Sequence, residues 1–491
     1  MTAWEWLNTK RSSVLFDGEP ERVLVLFMTR IRQQVIPPLD ASFLPAFRFA
    51  QAYEQALVYH GKSESVKLRL ERPDGTVFAT EFEILPDGVQ AGKTWLYVER
   101  SVKSLLWQRG GNRLHVSAPA SVVEGLQKTY GPKGERAFDW NFMGQQLFRS
   151  PFEVISCQEG DLPAAGEPEV QLGNHLDGCR IGFDLGGSDR KCAAVIDGEV
   201  VFSEEIEWDP YFQNDPEYHR RGIRDSIERA ARHLPRVDAI GGSAAGVYIN
   251  NEVLAGSLFR GLSTADFDRS IRGLFKEIQH EWQVPLAIVN DGEVTALAAS
   301  LSGHTGGILG VSMGTSLAAG YVRPDGSLTP WLNELAFVPV DLRDQGPADE
   351  WSGDQGCGVQ YFSQQAVARL GPQAGIELAA DEKFPEYIKR VQSLMEAGDE
   401  RADKIYRTIG IYLGYALAQW ARDYSFEKVL LLGRVLSGPG GERLQSSARR
   451  VIELEAPNLA ERLGFIEVSE RDKRHGQAIA AASLPPLNPS L

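Results

Sequence analysis

Apolar residues follow two different rhythms along the chain. Between residues 65 and 130 the rhythm changes every dozen residues or so. SVKLRLERPDGTVFATEFEIL carries β-branched and aliphatic runs on either side of Pro73-Asp74-Gly75, where Pro presets φ and Gly accepts a positive one, and it predicts a hairpin. ERSVKSLLWQRG has its apolar residues at helical spacing, NRLHVSA reads as a strand, and PASVVEGLQKTY opens with Pro and Ser as a helix does. These elements predict an α+β domain over residues 1–157. QEGDLPAAGEPEVQL follows, rich in Pro, Gly and acid, and predicts a linker over residues 158–178. Past it the rhythm becomes regular. CRIGFDLGG, VDAIGGSAAG, PLAIVNDG, GILGVSMGTS and KVLLLGRVLSG each run an aliphatic stretch into a Gly-rich or Asp-containing end. That is the pattern of buried strands in an α/β protein, whose chemistry gathers at the carboxyl ends of the strands.

Composition narrows the function classes. A chain of 491 residues with 43% apolar and 24% charged content is a globular protein of two or three domains. Its net charge of -15 opposes phosphate-backbone binding, so a nucleic-acid partner is not expected. There is no run of about 18 apolar residues and no apolar core behind a basic leader, so neither a membrane span nor secretion is expected, and the location read is cytoplasmic. Cys157, Cys179, Cys192 and Cys357 are scattered without the close pairs of a thiolate zinc site, which predicts reduced thiols.

Four stretches carry chemistry, and a fifth only looks as if it does. Gly88-Val89-Gln90-Ala91-Gly92-Lys93-Thr94 ends like a phosphate-binding P-loop but has three residues between its glycines where that loop needs four, so it is read as a turn before WLYVE. In DLGGS, Gly186 and Gly187 let a bend approach phosphate oxygens, Ser188 can donate a hydrogen bond, and Asp184 can hold hydrated magnesium. Gly314 and Thr315, in VSMGTS, can serve the other side of a polyphosphate, and Gly433 with Arg434, in LGRVLSG, suits packing on a flat adenine ring. Between them lies VNDGE, where Asp291 at a strand end can take the proton of a hydroxyl attacking a γ-phosphate and Asn290 can fix a neighbouring hydroxyl. Either residue can equally be a helix cap.

The order of phosphate loop, Asn-Asp, second phosphate loop and adenosine strand resembles the ROK family of sugar kinases and sugar-responsive repressors, within the actin-like ATPase superfamily, from Cys179 to the C-terminus. DLGGS resembles the family's DxGGT, NDGEVTALA its NDANxAAL and MGTS the start of its GTGxGxG, while IYRTIGIYLGYALAQWARDY and GQAIAAASL stand where the family has helices. The resemblance implies a two-lobed actin-like ATPase core with a ribonuclease H-like fold, its first lobe over 179–291 and its second over 292–491, preceded by the separate α+β domain. It implies ATP and magnesium as cofactors and a small carbohydrate or polyol as substrate, phosphorylated with Asp291 as base. NELAF resembles the family's GExGH, keeping its sugar-binding Glu as Glu334 but replacing a zinc-ligating, sugar-contacting His with Phe337. SGDQGCGVQYFS resembles CGxxGCxExYxS, with Ser352 in place of the first Cys and Val359 in place of a sugar-binding Glu, and Ser257 stands in the place of a sugar-contacting Asn. No zinc is therefore expected. Ser316 and Ala318 stand where the family has glycines. A sugar-sensing protein without turnover and a phosphohydrolase using the same ATP site are the alternatives. The first domain, which shows no helix-turn-helix signal, is expected to cap the cleft or build a homo-oligomer.

Overall fold

The computed structural model describes residues 31–167, 172–303, 305–379, 382–467 and 470–487. The first thirty residues of the expected α+β domain, residues 168–171 of the expected linker and the last four residues lie outside them.

The hairpin forms as the turn chemistry dictates. β1 (Glu64–Glu71) pairs antiparallel with β2 (Val77–Ile84), from Glu64 opposite Ile84 to Glu71 opposite Val77. β3 (Arg113–Ser117) and β4 (Glu153–Ser156) complete a sheet of order β2-β1-β3-β4. Helices Ala91–Arg109 and Ala120–Thr129 pack on it, the latter opening after Pro119, and helix Ala46–His60 packs on Ala91–Arg109 and on helix Glu400–Trp420 of the second lobe. The P-loop lookalike is a turn only as far as Gln90; its remaining residues begin the Ala91–Arg109 helix, which also takes in WLYVE.

The first lobe is built on β5 (Cys179–Leu185), β6 (Asp189–Ile196), β7 (Glu199–Glu207) and β8 (Ala239–Ala244). After a small hairpin of β9 (Val247–Ile249) and β10 (Glu252–Ala255), β11 (Leu286–Asn290) completes the order β11-β8-β5-β6-β7, with β5, β8 and β11 parallel. The second lobe holds β12 (Ile308–Met313), β13 (Leu317–Val322), β14 (Lys428–Leu432) and β15 (Gly464–Ile466), in the order β13-β12-β14-β15. The C-terminal helix Glu470–Ala482 returns to the first lobe, packing on β5, β6 and β8. It lies so close that a Cβ on Gly182 would sit 1.7 Å from the Ala478 carbonyl oxygen, and one on Gly241 1.6 Å from that of Ala481. The 292–491 segment thus gives its last helix to the first lobe.

The N-terminal sheet does not have a core of its own. One continuous apolar cluster joins Phe47, Leu68, Trp107, Leu126 and Phe152 to Val311, Phe337, Val359, Ile409 and Trp420 of the second lobe, and takes in Val247 and Leu254 of the β9–β10 hairpin. The first lobe keeps a separate core around Ile181, Phe183, Ile223, Phe275 and Ile288. Within the stretch read as a linker, residues 166 and 167 are bonded to their surroundings. Gly166 exchanges two backbone bonds with Val77, at 2.9 and 3.0 Å, and Glu167 accepts from Arg323 of the second lobe at 2.8 Å. No helix among the described residues is long and apolar enough to cross a membrane.

Candidate active site

The parallel strands set the site. In register, Asp184 on β5 stands beside Ser243 on β8, and Asn290 on β11 beside the next residue, Ala244. With strands about 4.8 Å apart, Asp184 and Asn290 leave the sheet's carboxyl end roughly 10 Å from each other. Asp291 opens the helix Asp291–Gly303, which packs on β12 and β13 and so puts this carboxylate where the two lobes meet. The second lobe repeats the layout. Ser312 on β12 is level with Leu432 on the parallel β14, so the turns carrying Gly314 with Thr315 and Gly433 with Arg434 leave neighbouring strands at the same end. Thr315, Gly433 and Arg434 are exposed.

The first candidate phosphate loop is a hairpin tip between β5 and β6, closed by Leu185 opposite Arg190. Its carbonyls are held from behind, with Trp208 Nε1 donating to Gly186 at 2.8 Å and the Trp208 backbone N–H to Ser188 at 3.1 Å. Ser188 itself donates its hydroxyl to Asp189 at 2.9 Å. Tyr211 lies over the tip, so close that a Cβ on Gly187 would fall 2.1 Å from its hydroxyl, and the Arg260 guanidinium sits 4.0 Å above the Tyr211 ring. A side chain at 187 would have to displace the Tyr211 ring.

Four carboxyls crowd the junction. Burial pushes Asp184 up to about 6, helped by the charge of Asp291 and opposed by Lys191. Burial raises Asp291 as well, against the Gly292 N–H that it accepts. Glu334, half-buried, rises to about 7 through burial and the nearby Asp291. Glu293 rises to about 8, again through burial, although Asn333 Nδ2 donates to it at 3.0 Å. Tyr248, whose hydroxyl is pushed up by burial and by Asp291, borders the same group.

The candidate acceptor residues separate into two sets. Asp291 and Glu334 are brought together. Asn290 is committed to backbone: its carboxamide oxygen caps the helix by accepting the Gly292 N–H at 2.8 Å, and its nitrogen donates to the Gly246 carbonyl at 2.8 Å. Ser257 is exposed on the short turn after β10. Phe337 and Val359 are buried in the shared core, Phe337 stacked on Trp107 with ring centres 4.2 Å apart. Sequence reasoning passed over Glu293, which reads as an ordinary acid in a helix's first turn. It also passed over Asn333, held with φ at 54° and bonded to Glu293 and to the Tyr424 hydroxyl.

No family model matches the chain. A glucokinase from Halalkalibacterium halodurans is 25% identical to it over 271 residues, taking in 52% of this chain and 80% of that one. A solved ROK family transcriptional regulator, a homologue of the E. coli MLC protein, aligns with a TM-score of 0.50 and 21% identity over 63% of this chain and 78% of its own. The core has the ROK fold. The ROK hexokinase of Thermus thermophilus gives a TM-score of 0.49 at 19% identity, over 62% of this chain and 96% of its own. ROK proteins share the actin-like ATPase fold, and both lobes described above belong to it. Where the ROK pattern has a zinc-ligating Cys and His, Ser352 bonds Asp349 and Phe337 stacks on an aromatic ring. Among the described residues no group of three or more His, Cys, Asp or Glu side chains is disposed to hold a metal.

Proposed function

We propose that the protein is an ATP-dependent carbohydrate kinase. The observation that carries this reading is Asp291, a desolvated carboxyl at the end of a parallel strand, beside Glu334 and between two glycine-bearing turns. The likeness to a glucokinase supports it. Asp291 accepts the proton of the acceptor hydroxyl as that oxygen bonds to the γ-phosphorus; the bond from phosphorus to the bridging oxygen breaks, ADP leaves, and the proton passes from Asp291 to water. Glu334 holds a neighbouring hydroxyl and orients the acceptor.

Asp184 fits a magnesium ion held through water, since its buried carboxyl stands near a second carboxyl with Lys191 as the opposing charge. The ion would supply charge neutralisation on the polyphosphate. Gly186, Gly187 and Ser188 line one side of that polyphosphate, Gly314 and Thr315 the other, and Gly433 with Arg434 faces the adenine.

With Phe337 and Val359 turned into the core and Asn290 spent on backbone, few polar groups remain to meet the full set of hexose hydroxyls. A buried hydroxyl without a partner costs about 1–3 kcal/mol, which favours deoxy sugars, anhydro sugars or cyclic polyols over glucose. ADP release measured with a panel of glucose, N-acetylmannosamine and such acceptors tests both levels. Sugar-stimulated release establishes the kinase, and a tenfold preference for glucose overturns the acceptor argument alone.

Sugar sensing without turnover is the second reading. It is favoured by Ser316 and Ala318, whose Cβ atoms stand on the hairpin that would fold over phosphate. Sugar binding without ADP release would establish it, and sugar-independent release would mark a phosphohydrolase.

A further inference from the structure

Residues 333–358 carry Glu334 yet hold little regular structure, and much of what fixes them comes from outside the ROK fold. At the end of the Ala91–Arg109 helix the carbonyls of Trp107 and Gln108 accept the backbone N–H groups of Glu334 and Asn333, each at 3.0 Å. Trp107 also stacks on Phe337, three residues past Glu334. The next stretch pairs with itself: Val340 N–H donates to the Gly356 carbonyl at 2.8 Å and Gly358 N–H to that of Val338 at 3.1 Å.

The loop entering that pairing bears Asp354, and each of its carboxylate oxygens is taken by a cation of the N-terminal segment. Lys103 Nζ bonds Oδ2, and Arg136 Nη1 bonds Oδ1 at 2.6 Å. Lys103 is fully buried and also bonds both oxygens of Asp139, at 3.0 and 2.8 Å, while Trp107 Nε1 donates to Asp139 at 2.9 Å. Arg136 donates its Nε to Glu99 at 2.6 Å. Charge-assisted bonds of this kind fix geometry strongly. Desolvation offsets most of what such a buried network adds to stability, so its effect is chiefly on where groups sit.

We propose that Lys103 and Arg136 are positioning residues for the acceptor: by holding Asp354 they hold the paired 338–358 stretch, and with it Glu334. A segment outside the kinase core thus sets acceptor affinity. The proposal rests on Glu334 as an acceptor ligand, the reading given above.

Two variants test it in the full chain. Asp354→Asn removes the charge and keeps the shape; Lys103→Met combined with Asp139→Asn removes the lysine without stranding its main partner. Hydrogen exchange is read at the amides of residues 333–341, with residues 286–290 of β11 as the internal reference. Exchange at 333–341 should rise at least tenfold in both variants with the reference unmoved. For the best sugar in the panel, KM should rise at least tenfold while KM for ATP stays within twofold. Unchanged exchange in folded variants overturns the proposal, as does a parallel rise in both KM values, which marks general loosening. If the wild type neither binds nor phosphorylates any sugar while the exchange result holds, the kinase reading and the acceptor step both fail, and the grip on the loop alone survives.

Discussion

Asp291 and Glu334 lie close enough for the charge of one to raise the other, but they are placed by opposite means. Asp291 follows a parallel strand directly and opens a helix that Asn290 caps, so neighbours within two residues and one strand register decide where it lies. Glu334 stands in irregular chain, held by the carbonyl of Trp107, more than two hundred residues earlier, and through the loop of Asp354 by Lys103 and Arg136. The position of Asp291, the proposed base, is therefore a property of the core. That of Glu334, the proposed acceptor ligand, belongs to the core and the N-terminal segment together.

The harshest test of that contrast removes the segment. Deleting residues 1–175 would bare the side chains of Phe337, Val359, Ile409 and Trp420 that now share its core. The expected outcome is no soluble monomer, judged by yield and gel filtration. A soluble, cooperatively melting fragment would show that the lobes close over this surface unaided and that the segment is an accessory. Next in size is Asp291→Asn, which should lower kcat by roughly 10²- to 10⁴-fold, the range for a lost general base, while calorimetric ATP affinity stays near that of the wild type. Turnover close to the wild-type value would end its assignment.

How much of this was legible in the sequence follows the same division. The strands ending at Leu185, Asn290, Met313 and Leu432 each write their burial as an aliphatic run, with a Gly or Asp at or just past the end, so the fold and the place of the Gly-bearing turns could be read locally. The hairpin around Asp74 was equally plain, because turn chemistry is local. The shared core was not, because an apolar residue does not say which apolar surface it meets. Phe337 and Val359 read as altered pocket walls, whereas the structure packs them under the N-terminal segment. One signal was present: Glu99, Lys103 and Trp107 recur at four-residue spacing on one helix face, and a Glu and a Lys on the same face as a Trp that must be buried announce buried charge partners.

Glu293 sharpens the contrast through pH. Its carboxyl, near 4.5 when exposed, is raised to about 8, mainly by burial. Below 4.5 it is protonated folded or unfolded. Between the two values the folded chain keeps a proton that the unfolded chain has lost, so stability declines as pH rises from about 5 through 8. Glu293→Gln should match the wild type in thermal melts at pH 5 and melt higher at pH 8.5, since the amide retains an acceptor for Asn333 without the charge. Equal slopes for the two proteins would show that Glu293 does not titrate across this range.

The smallest effect concerns the N-terminal segment's hold on the first lobe. Among the described residues its polar ties there include Arg149 to Asp268 at 2.8 Å, Asn250 to Asp74 at 2.9 Å and Arg272 to the Leu147 carbonyl at 3.4 Å, with Val247, Ile249, Leu254 and Ala255 as apolar contacts. The Arg149 and Asp268 side chains are 38% and 41% exposed, and a pair so wet is worth about 0–1 kcal/mol. Nothing here matches the buried charges and continuous core that bind the segment to the second lobe. If the proposed kinase activity requires the two lobes to close and exclude water, the segment should travel with the second lobe and slide on the first. Arg149→Ala should accordingly leave kcat and both KM values within about twofold, lower stability by less than about 1 kcal/mol, and lose even that difference in 1 M salt. A large rise in kcat would instead reveal a latch that must open in every turnover, and a large loss of stability would make the segment a fixed clamp across both lobes.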